Sequence, residues 1–417
     1  MVRRRRNQKG SSIAARCAVV VMAVAGLALS PHAAAAVDQK NPKPTGQPLH
    51  EVGTWGASAD RTPVTMTEQT VRNIVHTSVG GSGLRISLSN AFGTQPVVFG
   101  GAYVGLQQTG AAVVPGTNRQ LTFGGSTSVT VPAGAQVLSD PLPGTYAPQQ
   151  TLAVSLYVRG ASGTVTGHNL ATQTSYVSSE GDHSAEEDGA AFTTTISRWY
   201  WVDSVVVSAP KTVGTVVALG DSITDGLRST PGANRRWPDV LAGRLLDGPR
   251  PKQMGVLNEG ISGNRVLADG AGVSVQARFD RDVLAKPGVR TVILMEGIND
   301  INGGQATSGD QLIAAYRQLI ARAHAEGTCI LGATMTPFKG LGSYTDQKEA
   351  IRTAANEFIR HSREFDGVVD FDKVTRDPAD PQRFLPLYDS GDHLHPSDAG
   401  YAAMGDAVNL KALECKR

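Results

Sequence analysis

Beyond its first 36 residues, this chain of 417 residues has no apolar run long enough to span a bilayer, which argues against a helical membrane protein. Cysteine is scarce. Of three residues only Cys329 and Cys415 lie outside the N-terminal segment, too few for a fold held together chiefly by disulfides. A basic excess is also missing. Six of the 39 lysines and arginines (Arg3, Arg4, Arg5, Arg6, Lys9 and Arg16) sit among the first 36 residues, which contain no acid. The remainder therefore sets 33 bases against 37 acids. That balance gives no electrostatic footprint for nucleic acid. Internal repeats are absent, so the chain does not read as a solenoid or an array.

Residues 1–36 read as a secretory signal peptide. Arg3 to Arg6 supply the charged region, residues 18–29 an apolar stretch too short to cross a membrane, and His32-Ala33-Ala34-Ala35-Ala36 the small residues of a cleavage site. No lipobox precedes Cys17. The expected product is a secreted, extracellular monomer with no stable membrane association. In an oxidising compartment the isolated pair Cys329 and Cys415 is a candidate disulfide. Residues 37–50, rich in Pro, Gln and Lys, read as a disordered linker.

From 51 to 208 the pattern is that of β structure. Residues 84–89, 128–131 and 152–158 alternate larger apolar side chains with small or polar ones. Turns such as Gly80-Gly81-Ser82-Gly83 and Pro141-Leu142-Pro143-Gly144 bound them. Half-buried strands of this kind predict an all-β sandwich or jelly-roll domain. Ser208-Ala209-Pro210-Lys211 marks a boundary. From 212 to 417 strands alternate with helices: strands at 215–219, 255–258, 290–295, 328–334 and 368–371, and helices at 237–246, 309–325, 345–364 and 397–413. That rhythm predicts a three-layer α/β domain with a parallel sheet covered on both faces. Cys329 then opens a strand at the amino edge of the sheet, and the last helix runs back from the carboxyl edge to deliver Cys415 beside it.

The run Val216-Val217-Ala218-Leu219-Gly220-Asp221-Ser222 places a hydroxyl just past the carboxyl end of a buried strand, where open α/β sheets carry their ligands. A serine there acts as a nucleophile only if a base and an oxyanion hole converge on it. Asp392-His393-Leu394-His395-Pro396 offers the base. Two rival chemistries find less support. No serine has glycine at both −2 and +2, which removes the nucleophile elbow of the α/β-hydrolases. Asp221, Asp389, Asp392, His393 and His395 are metal-ligand types, but no HExxH or comparable spacing accompanies them, so no metal and no cofactor is expected.

Four blocks stand in order: Gly220-Asp221-Ser222-Ile223-Thr224, then Glu259-Gly260-Ile261-Ser262-Gly263-Asn264-Arg265-Val266, Glu296-Gly297-Ile298-Asn299-Asp300, and Asp392 to Pro396. Together they resemble the SGNH (GDSL) hydrolase family. The resemblance implies a flavodoxin-like strand order and a catalytic triad of Ser222, His395 and Asp392, His395 being preferred to His393 by the Asp-x-x-His spacing. It also implies an oxyanion hole from the Ser222 and Gly263 backbone N–H groups and the Asn299 side chain. Asn299 reads alternatively as a helix cap. Asp221 and Asp300 read as structural, binding loop backbone.

More loosely, Gly53-Thr54-Trp55-Gly56-Ala57-Ser58 and Leu88-Ser89-Asn90-Ala91-Phe92-Gly93 look similar to the N-terminal β domains of an exported branch that includes acetylxylan-esterase-like enzymes. The function this implies is a secreted serine esterase working through an acyl-enzyme, removing O-acetyl groups from polysaccharide or related small-molecule esters. A lipase or short-chain carboxylesterase is the alternative, and a carbohydrate-binding protein with a decayed hydrolase domain the reading from another class. Trp199-Tyr200-Trp201 is either a platform for stacking sugar or a strand alternating between core and surface.

Overall fold

The computed structural model describes residues 48–248 and 253–415. Residues 1–36, read as a signal peptide, and residues 37–47 of the expected linker lie outside them. Leu49 and His50, read as the end of the linker, instead begin strand β1 (Leu49–Gly56). They pair with Pro210 and Ala209, and the His50 ring lies 2.7 Å from the Val213 carbonyl. Cross-strand partners distant in sequence override the local composition.

The β-rich region holds two antiparallel sheets. One pairs β1 with Val202–Pro210 and the latter with Gly81–Ser89. The other is centred on two long strands, β2 (Asp60–His76) and β3 (Thr151–His168). Leu84, Ile86 and Leu88 from the first sheet and Leu152, Val154, Leu156 and Val158 from the second share one hydrophobic core, as alternation predicts. Strand β3 is not half-buried, however. Ala153 is also fully buried, packed on the outer face with Ile74, Val113 and Tyr176, and Arg72 covers the neighbouring Ser155, donating to its Oγ at 2.8 Å and to the Glu186 carbonyl at 2.5 Å. Nor does the region end at 208, since its last strand continues to Pro210.

Among the described residues the α/β region has five strands: β4 (Gly214–Gly220), β5 (Met254–Gly260), β6 (Val289–Met295), β7 (Cys329–Ala333) and β8 (Gly367–Val369). All pair in parallel in the order β5-β4-β6-β7-β8, the flavodoxin-like arrangement. Side chains alternate between two cores. Val217, Leu219, Val292 and Leu294 face the helices at Gly309–Ala325 and Asp346–His361. Val216, Ala218, Ile293 and Met295 face those at Trp237–Leu246 and Asp398–Ala407. The helix at Gly309–Ala325 starts where a Ser308/Gln311 capping box fixes it.

The last helix stops at Ala407 rather than at 413, and Asn409 caps a separate 3-10 turn, Leu410–Glu414. Val408 and Leu413 insert into the second core. Cys415 thereby reaches Cys329, and the two form a disulfide 86 residues apart, worth about 4.6 kcal/mol by the chain-entropy account.

The β-rich and α/β regions form one compact unit. The end of β1 runs along β5, with a parallel bridge between Ala57 and Asn258. A Cβ on Gly255 would lie 1.9 Å from the Gly53 carbonyl oxygen, so only glycine permits this approach. Among the described residues no helix is long and apolar enough to cross a membrane.

Candidate active site

Strand β4 ends on Gly220, whose added Cβ would lie 2.6 Å from the Met295 carbonyl oxygen. Asp221 follows and accepts the Ile223 N–H at 2.9 Å, capping the four-residue helix α1 (Ser222–Asp225). Ser222 is the first residue of that turn, at the carboxyl edge of the sheet, and is buried. Burial pushes the Asp221 carboxyl up to about 7 against the hold of the Ile223 N–H, with Asp300 and Asp225 adding to the rise.

The closing loop meets Ser222 from the far end of the chain. The Ser222 hydroxyl lies 2.8 Å from His395 Nε2, and His395 Nδ1 lies 2.8 Å from Asp392 Oδ2. Asp392 Oδ1 accepts the N–H groups of Leu394 and His395 at 3.0 and 2.8 Å. Burial alone would raise the Asp392 pKa, but these backbone donors and the His395 ring outweigh it and hold the carboxyl far below the usual range. An ionised carboxylate there accepts a hydrogen bond from the ring N–H, which keeps the proton on Nδ1 and leaves the Nε2 lone pair facing the hydroxyl. That arrangement can strip a proton from an attacking serine.

His393 is turned elsewhere. Its Nδ1 lies 2.6 Å from Asp389 Oδ2. Asp389, Asp392, His393 and His395 thus pair off two by two. The one cluster of three potential ligand atoms among the described residues is Cys329, Asp366 and Cys415, whose sulfurs are joined in the disulfide.

The second and third blocks approach each other. Gly263 has φ +81°, a conformation that favours glycine, in a turn closed by a 3.0 Å bond from the Asn264 N–H to the Ile261 carbonyl. The Asn299 amide donates to the Asn264 carbonyl at 3.0 Å, leaving its second N–H for another acceptor. Asn299 is not a helix cap. It lies inside the helix Ile298–Asn302, and Gly297 with φ +127° occupies the cap position. Asp300 accepts the N–H groups of Val266 and Leu267, each at 2.8 Å, the loop-binding role expected of it. Burial, with Asp221 nearby, pushes Glu296 well above the carboxylate range.

Sequence reasoning missed what ties these blocks together. Arg278 is fully buried. It donates to Asn264 Oδ1 at 3.0 Å, to the Gly220 carbonyl at 3.0 Å, to the Glu259 carbonyl at 2.7 Å and to Ser58 Oγ of the β-rich region at 2.8 Å. Its only sequence signal is Asp282 four residues on, which reads as an ordinary surface helix pair. Trp199, Tyr200 and Trp201 are all buried, and Trp199 packs edge-on against Trp55 at 4.9 Å. The three are core, not an exposed platform for sugar.

Residues 218–403 match the model of the GDSL-like Lipase/Acylhydrolase family. No curated protein matches the chain. Similar solved structures include a protein provisionally described as lipolytic and of the G-D-S-L family, from Desulfitobacterium hafniense DCB-2, at 26% identity and TM-score 0.37, covering 46% of this chain and 96% of that one. A variant of an acetyl xylan esterase from Geobacillus stearothermophilus is 22% identical, with TM-score 0.39 and coverage of 49% and 98%. Another acetyl xylan esterase, AlAXEase, is 20% identical, with TM-score 0.36 and coverage of 46% and 96%.

Proposed function

We propose, for a chain whose residues 218–403 are a GDSL-like lipase/acylhydrolase domain and which is a carboxylic ester hydrolase, that Ser222 is the nucleophile, His395 the base and Asp392 its orienting partner. The observation that carries this reading is the 2.8 Å approach of the Ser222 hydroxyl to a ring whose other nitrogen is held 2.8 Å from a carboxylate. As Oγ attacks the ester carbon, Nε2 takes its proton. The departing alcohol then receives that proton, leaving an acyl-enzyme, which water hydrolyses by the same route in reverse. The Ser222 and Gly263 N–H groups and the free N–H of Asn299 receive the oxyanion.

Asn299→Ala is accordingly expected to lower kcat by roughly 10²–10³-fold with KM nearly unchanged, because charge on the oxygen develops only in the transition state. Steady-state kinetics beside a thermal melt check this. A lower Tm with normal kcat would leave Asn299 as a purely structural residue.

The substrate we propose is an O-acetyl ester on polysaccharide, met outside the cell after export through the segment 1–36. A lipid substrate calls for an apolar landing surface. Here the exposed large hydrophobic residues among those described are Leu49, Val368 and Leu387, on separate elements. The loops 269–274 and 339–343 are small or polar rather than lid-like. Acetate release from acetylated polysaccharides should be measured beside nitrophenyl esters of rising acyl length. Release from polysaccharide, with activity falling as the acyl chain lengthens, is expected. Activity that rises with chain length and spares polysaccharide would favour a lipase.

A further inference from the structure

The β-rich region ends its longest strand on His168, which is buried against Asp225, three residues after Ser222. The His168 Nδ1 lies 2.9 Å from the Ser58 carbonyl oxygen. Its Nε2 lies 3.0 Å from the Leu170 carbonyl and 2.9 Å from Asp225 Oδ1. Every one of these partners is an acceptor. A neutral imidazole has a single N–H and would leave one ring nitrogen pointing a lone pair at an oxygen in a buried site. The geometry therefore requires both nitrogens to be protonated. The other oxygen of Asp225 accepts the Ser262 N–H at 2.9 Å and the Ser262 hydroxyl at 2.6 Å. Ser262 immediately precedes Gly263. There is little slack in this arrangement, because an added Cβ on Gly260 would lie 2.3 Å from the Asp225 nitrogen.

We propose that His168 is a positioning residue for the oxyanion hole: as a buried imidazolium it fixes Asp225, and Asp225 fixes the Ser262 turn that presents the Gly263 N–H. The inference rests on the reading of Gly263 given above and assigns the β-rich region a part in catalysis. A sheet region packed beside the α/β fold supplies the cation that its buried carboxylate requires. Without that cation Asp225 loses a hydrogen-bonded partner and keeps only the Arg236 guanidinium to oppose its buried charge, and it must either find a new donor or swing away. Either response releases the Ser262 turn.

The charge on His168 is set by its surroundings. Burial lowers its pKa, but the Asp225 carboxylate outweighs that and raises it to about 8. Other charged and titratable groups share the site. Arg236 lies with its guanidinium 5.9 Å from the Trp199 ring centroid and acts on Asp225. Asp221 and Tyr401 also interact with Asp225, and Asp203 lines the small cavity beside His168. A histidine with a raised pKa keeps its pair below that pKa and loses it above. Hydrolysis should therefore decline as pH rises through about 8.

The test compares kcat and KM for nitrophenyl acetate in the wild type and His168→Gln across this range, together with ¹⁵N NMR of the histidine side chains. His168→Gln offers no second ring donor and no charge. Its kcat should fall about tenfold with KM little changed, and the alkaline decline of the wild type should disappear. In the wild type the ¹⁵N signal missing from His168→Gln should report an imidazolium at neutral pH. If the variant does not fold, Ser262→Ala keeps His168 and Asp225 but removes one of the two bonds to the turn, and should itself lower kcat while retaining the alkaline decline. A neutral His168 ring at pH 7, or unchanged kcat in both variants, would overturn the proposal. Failure of the esterase reading is separable, since the NMR signal is read without turnover.

Discussion

Replacing Ser222 with alanine is expected to lower kcat for ester hydrolysis by about 10⁴–10⁶-fold, the range seen when a serine nucleophile is removed, while the protein still folds. The loss is this large because the hydroxyl is the atom that forms the covalent bond. Stability should hardly change. The substitution removes one hydrogen bond to His395, worth about 1 kcal/mol. It keeps the features that build the turn: Gly220 against Met295, the Asp221 cap, and the bond from the Gly226 N–H to the Ser222 carbonyl. Mass spectrometry after fluorophosphonate treatment checks the same assignment in the wild type. Two nearby serines are the natural competitors. Ser262 donates to Asp225 and Ser229 to the Gly226 carbonyl. Neither hydroxyl is bonded to an imidazole nitrogen as that of Ser222 is, so a label on either would overturn the role given to Ser222.

Much of the α/β region was legible because its determinants are local. Buried parallel strands read as short apolar runs. The helices Trp237–Leu246 and Gly309–Ala325 begin and end where the sequence places them. The four blocks carry their residues close to the sheet edge, so the candidate triad could be read as soon as strand order was assumed. The disulfide followed from which edge of the sheet each cysteine reaches.

What escaped the sequence is mostly contact between the two regions. Arg278, Asp225, Glu259 and Lys286 are charged residues that pattern reading assigns to the surface. All four are buried, and Lys286 pairs with Glu259 at 2.9 Å. A buried charge becomes visible only once its partner is placed, and those partners lie elsewhere in the chain. Arg278 meets Ser58 across 220 residues of sequence. The same limitation explains Trp199-Tyr200-Trp201. Three adjacent aromatic residues can present a platform or fill a core, and the choice depends on whether another sheet lies over them. Trp55 and Phe99 do so here.

His395→Ala should lower kcat by orders of magnitude, about 10⁴-fold or more, whereas His393→Ala should change it little. The two histidines stand two residues apart, and each has an aspartate partner, so the sequence alone separates them only by spacing. The geometry separates them by direction. His395 is buried and reaches from Asp392 to the Ser222 hydroxyl with one nitrogen for each. His393, with φ +63°, turns its ring toward Asp389 and packs over Gly340, where an added Cβ would lie 2.8 Å from the ring. Asp392→Asn supplies the third point of comparison. An asparagine could still accept the Leu394 and His395 N–H groups, so the loop should hold. Its amide would present a donor to Nδ1 and favour the proton on Nε2, the wrong nitrogen for a base. Activity of Asp392→Asn should therefore fall between that of the wild type and His395→Ala, since the ring stays in place but spends most of its time in the unproductive tautomer. Side-by-side kinetics of the three variants decide the matter. If His393→Ala proves the more damaging, the Asp389–His393 pair is the base and Ser222 must move toward it during catalysis.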